Sequence, residues 1–270
     1  MPLLIAILLG VVEGLTEYLP VSSTGHLILA GHLLGLPDDD PATSSFEIVV
    51  QLGAILAVVA HYRRLLLDHA RGLLRGDPAS RRLLLALLAA FAPTAVVGLV
   101  LRKTIKEHLF GPLPVASALV IGGVAMILIE RWRTRRGITG QEGLEHVTPR
   151  RAFLIGLGQC VSLWPGASRS MCTIVAGQLT GLSTGTAAEF SFLLALPTLG
   201  AATVYEGIKA RHTLVADVGI PSLAAGFVVS YFVAWAVIAT FLKYLRARGL
   251  APFGWYRVVM GLVALWVLAR

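Results

Sequence analysis

The chain has 270 residues, of which 56% are hydrophobic and 14% charged, with a mean hydropathy of +0.77 and a formal net charge of +8. Ordinary soluble domains carry about 25% charged residues, so this composition excludes a soluble protein and implies one integral membrane domain, 1–270, because each crossing takes about 20 residues. The positive charge comes with neither a stacking platform nor a nucleic-acid motif, so it suits anionic membrane lipids and excludes nucleic acid as a partner.

The first segment, about Leu3 to Leu36, is apolar but is broken at Pro20 and carries Glu13 and Glu17 one helical turn apart. Its start lacks the positive n-region of a signal peptide, and Glu13 interrupts its apolar run, so it reads as mature protein. Six runs long enough to cross a bilayer follow: Phe46 to Tyr62, Leu83 to Leu101, Val115 to Ile129, Ala187 to Tyr205, Ile220 to Leu242 and Phe253 to Ala269. Between the third and fourth lies a second broken apolar segment, Ala152 to Leu182, interrupted by Pro165-Gly166. Cys160 and Cys172 lack metal-ligand spacing and read as small core residues.

Arginine and lysine concentrate in three loops, around Arg63 to Arg82, Arg131 to Arg151 and Lys243 to Arg248, which marks these loops as cytoplasmic. Arg102, Lys103 and Lys106 fall on the other side and run against this bias. All three loops reach one side only if each broken segment enters and leaves on a single face. The expected fold is therefore all-α: a polytopic membrane bundle of six transmembrane helices plus two opposed re-entrant helix hairpins.

The two broken segments also resemble each other. Leu19-Pro20-Val21-Ser22-Ser23 lines up with Trp164-Pro165-Gly166-Ala167-Ser168. After one residue of insertion, Gly31 to Leu36 matches Gly177 to Leu182, and Ser45-Phe46-Glu47 answers Glu189-Phe190-Ser191. This reads as an inverted repeat with halves of approximately 1–130 and 131–270, an architecture that places discontinuous helices near the membrane midplane.

Each proline ends a helix, and Ser22, Ser23 or Ser168 then stands where an N-cap belongs. Helix N-termini offer free N–H groups and the positive dipole end, a ready phosphate site. Arg169 adds a fork of donors in a segment where an arginine is otherwise costly. If Ser23 opens its helix, His26 follows one turn later, within reach of the serine hydroxyl as acid or base. Glu13 and Glu17 share one helix face and repel unless a cation or proton lies between them, which suits Mg2+ or Ca2+ held against phosphates. The candidate phosphate-binding set is Ser22, Thr24, Gly25, Ser168, Arg169, Ser170 and Thr173, with Gln51 and Glu189 as second-rank polar residues. The other histidines form no convincing ligand pair.

Glu13-x-x-x-Glu17 followed by Pro20-x-Ser22-Ser23-x-x-His26, and later Pro165-Gly166-x-Ser168-Arg169-Ser170-x-x-Thr173, resemble the two signature motifs of the bacterial undecaprenyl-diphosphate phosphatases of the bacitracin-resistance type. Val11 to Glu17, Gln51-Leu52-Gly53 and Glu189 to Leu194 are similar to that family too, whereas Met171 stands where members often carry glycine. The resemblance implies a metal-dependent enzyme of the bacterial cytoplasmic (inner) membrane. It would take a polyprenyl diphosphate lipid, remove the terminal phosphate at a site open to the periplasm, and return the monophosphate carrier to peptidoglycan synthesis. On this reading Ser23 attacks phosphorus, or positions the phosphate for water, and His26 is acid or base. Arg169 with Ser168, Ser170 and Thr173 clamps phosphoryl oxygens, and Glu13 with Glu17 binds metal or tunes His26. A transporter or flippase of a lipid phosphate is the alternative, because broken helices in inverted repeats are also transporter architecture; a carrier does not need the Ser23 with His26 pair. A homo-oligomer is left open.

Overall fold

Proline sets where most of the long helices begin. In the computed structural model, which describes residues 1–37, 40–109, 111–213 and 218–268, the helices are α1 Leu3–Thr16, α2 Ser23–Leu33, α3 Pro41–His61, α4 Arg63–Leu74, α5 Pro78–Leu109, α6 Pro112–Arg135, α7 Pro149–Gln159, α8 Arg169–Leu179, α9 Thr184–Thr213, α10 Ile220–Arg248 and α11 Ala251–Leu268. Asp40 caps α3 by accepting from Thr43 N at 3.0 Å and Thr43 Oγ1 at 2.8 Å, with Pro41 next. Asp77 before Pro78 accepts from Ser80 N at 2.8 Å, and Thr148 before Pro149 accepts from Arg151 N at 3.3 Å. A proline in the first turn loses no helix hydrogen bond, so these caps start helices several residues ahead of the apolar runs.

Among the described residues there is no strand, only the single bridge between Gln141 and Leu182. The fold is an all-α polytopic membrane bundle. Five helices, α3, α5, α6, α9 and α10, are long and apolar enough to cross a membrane. The sixth expected crossing, α11, has 18 residues and is shorter, about 27 Å at 1.5 Å per residue. It lies along α6, where an added Cβ on Gly123 would come 2.6 Å from Gly254 O. One helix was not expected: α4 occupies the first basic loop and buries none of its residues. With 12 residues that include Arg63, Arg64, Asp68 and Arg71, it is too short and too charged for a crossing.

Leu85, Val96, Leu99 and Val100 of α5 face outward, the reverse of a soluble protein, while Tyr18, Phe46, Phe190 and Phe192 are fully buried. Small residues bring the helices together. A Cβ on Gly53 of α3 would stand 2.5 Å from Phe227 O of α10. Overpacking of this kind costs about 1–3 kcal/mol, so Gly53→Ala should lower the melting temperature in detergent by several degrees; an unchanged melting curve would show that α3 and α10 can part there freely.

The broken segments fold back as hairpins from opposite ends of the bundle. The Met1 amine donates to Val218 O at 3.1 Å and Ser222 Oγ donates to Met1 O at 2.7 Å, while Leu36 joins Met1 and Phe46 in one apolar cluster. Both ends of the first hairpin therefore lie where α3 and α10 begin. In the second, Gln141 N donates to Gly181 O at 2.9 Å, Ser183 N donates back to Gln141 O at 2.9 Å, and Arg151 Nη1 donates to His146 O at 3.0 Å. Both of its ends lie where α6 ends and α9 begins. The 30 residues of α9 separate the two ends by about 45 Å. Each hairpin packs on the opposite half of the chain, α1 along α10 and α7 along α5.

Candidate functional site at two opposed helix breaks

α1 stops at Thr16, Glu17 still donates its N–H to Glu13 O at 2.9 Å, and the chain then turns through Pro20 and Val21. Ser22 takes φ 77° and ψ 97° and accepts from Gly25 N at 3.3 Å; Ser168 takes φ 72° and ψ 115° and accepts from Met171 N at 3.3 Å. Among the described residues these are the two non-glycine positions with positive φ, a backbone state that persists only where the surroundings impose it. Both helices that follow, α2 and α8, have 11 residues and end alike, with Leu36 N bonded to Gly31 O and Leu182 N to Gly177 O.

This fixes the register between the breaks and corrects the alignment made on the prolines. Ser22, not Ser23, corresponds to Ser168, and the extra residue falls before the cap. Ser23 therefore occupies the position of Arg169, so the candidate nucleophile and the candidate anion clamp are the first residues of two opposed helices. Met171 offers no obstacle, because what its position supplies is the backbone N–H on Ser168.

The two N-termini open on one cavity of about 250 Å³, lined by Ser22, Ser23 and Thr24 from one break and Pro165, Gly166, Ser168 and Arg169 from the other. Glu17 and Gln51 line it as well. Ser23 Oγ donates to Glu17 Oε2 at 2.6 Å, and Arg169 Nη2 donates to the other carboxylate oxygen, Oε1, at 3.1 Å. Arg169 Nη1 donates to Ser191 O at 2.8 Å and Ser191 Oγ at 3.2 Å, its guanidinium lies 5.8 Å from the Tyr18 ring centroid, and its Nε has no partner. Tyr18 is itself fixed by donating to Ala54 O at 2.9 Å.

Several expected residues lie elsewhere. His26 does not meet Ser23: its Nδ1 donates to Ser22 O at 2.7 Å and its Nε2 accepts from the Tyr256 hydroxyl at 2.6 Å, with the two rings stacked at 5.6 Å. One helical turn brings the two residues near, but the ring rotates toward α11. Gly25 is spent on the cap and packs near Val115 and Leu119. Ser170 Oγ donates to Leu19 O at 2.9 Å, tying one break to the other. Thr173 Oγ1 stands 2.6 Å from Ser191 Oγ and so braces the residue that holds Arg169. Glu189 lies toward Arg246 and Tyr62, away from the cavity. Gln51 reaches the cavity and accepts from Thr203 Oγ1 at 3.0 Å.

The sequence reading missed a neutral polar wall made of Thr94, Gln159, Ser162 and Thr198. Gln159 is fully buried, its Nε2 donates to Thr94 Oγ1 at 2.8 Å, and its Oε1 has no partner. Ser191, Tyr18, Tyr256 and Arg257 were missed too. The hydroxyls of Ser191, Tyr18 and Tyr256 signalled only polarity inside apolar runs, which membrane helices display without function, whereas Arg257, a charge inside the last apolar run, carried the same signal as Arg169.

The donors suit a hard divalent cation of one particular kind. A carboxylate has about four acceptor sites, and Glu17 spends one on Ser23 and one on Arg169. Glu13, buried and one turn away, has an Oε1 without a partner. Among the described residues no cluster of three or more His, Cys, Asp or Glu is disposed to hold a metal. Glu13 does not line the cavity, so the lining itself offers a cation the Glu17 carboxylate, and an ion there would take its remaining ligands from phosphate oxygens and water.

Two helix N-termini, brought from opposite ends of a bundle to a single cavity with an arginine, define an integral membrane protein with a polar cavity whose donors suit an anion. The chain belongs to the bacitracin resistance protein BacA family, whose profile matches residues 6–263. It is 59% identical over 263 residues to an undecaprenyl-diphosphatase of Sorangium cellulosum, covering 97% of this chain and 85% of that relative. It is also 48% identical to an undecaprenyl-diphosphatase of Rhizorhabdus wittichii, covering 100% and 99%, and 47% identical to one of Novosphingobium aromaticivorans, covering 98% of each.

Proposed function

We propose that this chain is a membrane phosphatase that hydrolyses undecaprenyl diphosphate to undecaprenyl phosphate and phosphate, returning the lipid carrier to peptidoglycan synthesis and so conferring bacitracin resistance. The family and the names of its relatives support the activity, and one contact carries the chemistry: the Ser23 hydroxyl bonded to Glu17 in the cavity that also holds Arg169. A nucleophile bonded to a base that is oriented by a third group is the arrangement that activates a hydroxyl.

On this reading the N–H groups that open α2 and α8, with Arg169, hold the oxygens of the terminal phosphate. Glu17 takes the Ser23 proton as Ser23 Oγ bonds to phosphorus, and the bond from phosphorus to the bridging oxygen breaks, releasing the lipid monophosphate. Glu17 passes that proton to the departing monophosphate. Water then adds to phosphorus of the phosphorylated serine and gives a proton to Glu17, the bond from phosphorus to Ser23 Oγ breaks, and Glu17 returns the proton to Ser23 Oγ as phosphate leaves. Catalysis here is positioning and charge stabilisation, as phosphoryl transfer generally requires. Glu17 with Glu13 would hold Mg2+ or Ca2+, which supplies neutralising charge to the diphosphate when bound. A flippase is the less supported reading, since a carrier has no use for the Ser23–Glu17 bond. Phosphate release in detergent, where no two sides exist, separates them: no release with metal supplied favours transport.

Two outcomes follow from the metal and the orientation. Chelation with EDTA should stop phosphate release, and Mg2+ or Ca2+ should restore it, with Glu17→Gln needing more ion for half-maximal rate; release indifferent to EDTA removes the metal. The site is taken to open to the periplasm of the cytoplasmic membrane. In a chain with Cys160→Ala and Cys172→Ala, an impermeant maleimide should label Ser44→Cys in intact cells and Glu142→Cys only after permeabilisation, and the reverse pattern would invert the topology.

A further inference from the structure

Arg257, on α11, is fully buried, and among the described residues no carboxylate pairs with it. Its Nη1 and Nη2 donate to three backbone carbonyls, while Nε has no partner. Nη1 donates to Pro20 O at 3.2 Å, and Nη2 donates to Gly166 O at 3.0 Å and to Ala118 O at 3.1 Å. Pro20 stands two residues before Ser22, and Gly166 two residues before Ser168. One planar fork thus grips the same point in both breaks and fastens them to α6. The space for it is built in: a Cβ on Gly122 of α6 would collide with Nη2 and lie 3.1 Å from Cζ. Arg257 does not line the cavity. A buried charge without a counterion is expensive to retain, and neutral carbonyls alone give no reason for a full positive charge. What the charge and the fork do together is hold two chain ends that converge from opposite ends of the bundle, with an added positive field behind an anion site.

We propose that Arg257 is a positioning residue that locks the two helix breaks into one register, so that Ser23 and Arg169 meet across a single phosphate. The inference rests on the phosphatase reading for its kinetic arm but not for its structural one. Lysine keeps the charge yet offers one nitrogen, which cannot serve both breaks as the fork does. Gly122→Ala keeps Arg257 and crowds its guanidinium; its Cβ would also lie 2.9 Å from the flexible end of Met171 on α8, so this second variant supports the lock only together with Arg257→Lys.

The test combines steady-state kinetics with a distance measurement between spin labels at Leu33→Cys and Leu179→Cys, exposed positions at the far ends of α2 and α8, in a chain with Cys160→Ala and Cys172→Ala. The parent should give one narrow distance. Arg257→Lys and Gly122→Ala should each broaden it, and inorganic pyrophosphate, by bridging the two N-termini, should narrow it again. The variants should lose kcat by about 10²-fold, the loss that a misplacement of about 1 Å produces, with KM changed little. A narrow, parent-like distance in both variants overturns the lock, whatever happens to activity. If the parent releases no phosphate, the functional reading fails while the distance arm still decides the lock.

Discussion

Replacing Arg169 with alanine should reduce phosphate release by roughly 10³–10⁵-fold, the range for an arginine that stabilises phosphoryl transfer. Among the described residues the guanidinium is the one full positive charge lining the cavity, and it is aimed by Ser191, Glu17 and Tyr18. The same change has a structural cost, because Glu17 is left buried with one oxygen unpaired, and breaking a buried ion pair costs about 3–5 kcal/mol. Two controls separate these effects. Arg169→Lys keeps the charge and loses the fork, so it should fold better than Arg169→Ala yet remain deeply impaired. Melting temperature in detergent, read beside phosphate release, reports the fold. A folded Arg169→Ala chain that works within tenfold of the parent would remove Arg169 from the site.

Ser23→Ala should abolish phosphate release while leaving the melting temperature close to the parent's, since the cap of α2 belongs to Ser22. Glu17→Gln should cost on the order of 10²–10⁴-fold, the span of a general base. Acid quenching of the parent during turnover should trap phosphate on Ser23, detectable by mass spectrometry. Near-parental turnover of Ser23→Ala would assign the attack to water and reduce Ser23 to a ligand of the phosphate. His26→Ala should do less than Glu17→Gln, because the His26 ring bonds to Ser22 O and Tyr256 and not to the Ser23 hydroxyl.

Much of the fold was legible because membrane segments obey a coarse rule. Apolar runs of crossing length and the placement of arginines found the long helices, and the parity of the basic loops required two segments to turn back. Helix starts were not legible from hydropathy, because capping by Asp40, Asp77 and Thr148 lies outside the apolar runs. α11 reads as a full crossing by hydropathy yet is shorter than the other five. α4 was hidden because a basic helix lying outside the core looks, by charge, like a basic loop.

The site divides in the same way. The motifs exposed Glu17, Ser22, Ser23, Thr24, Ser168 and Arg169 because polar groups at a break in an apolar run are costly and therefore conspicuous. They misassigned the partner of Ser23, since i to i+3 spacing brings His26 near without fixing its rotamer, and Glu17 reaches the hydroxyl from the other side of the break. They also aligned the prolines when the caps were the equivalent positions.

By itself the sequence determined a helical membrane protein, two proline breaks with serine caps, and an inventory suited to a diphosphate. These depend on local propensity and on transfer energies that each segment carries with it. Only the tertiary structure decided that the two breaks share one cavity, that Ser23 and Arg169 hold equivalent positions on either side of it, and that Arg257 joins the breaks from behind. Those facts depend on contacts between residues more than 90 positions apart, as between Arg257 and Gly166. No periodicity within a single segment encodes such contacts.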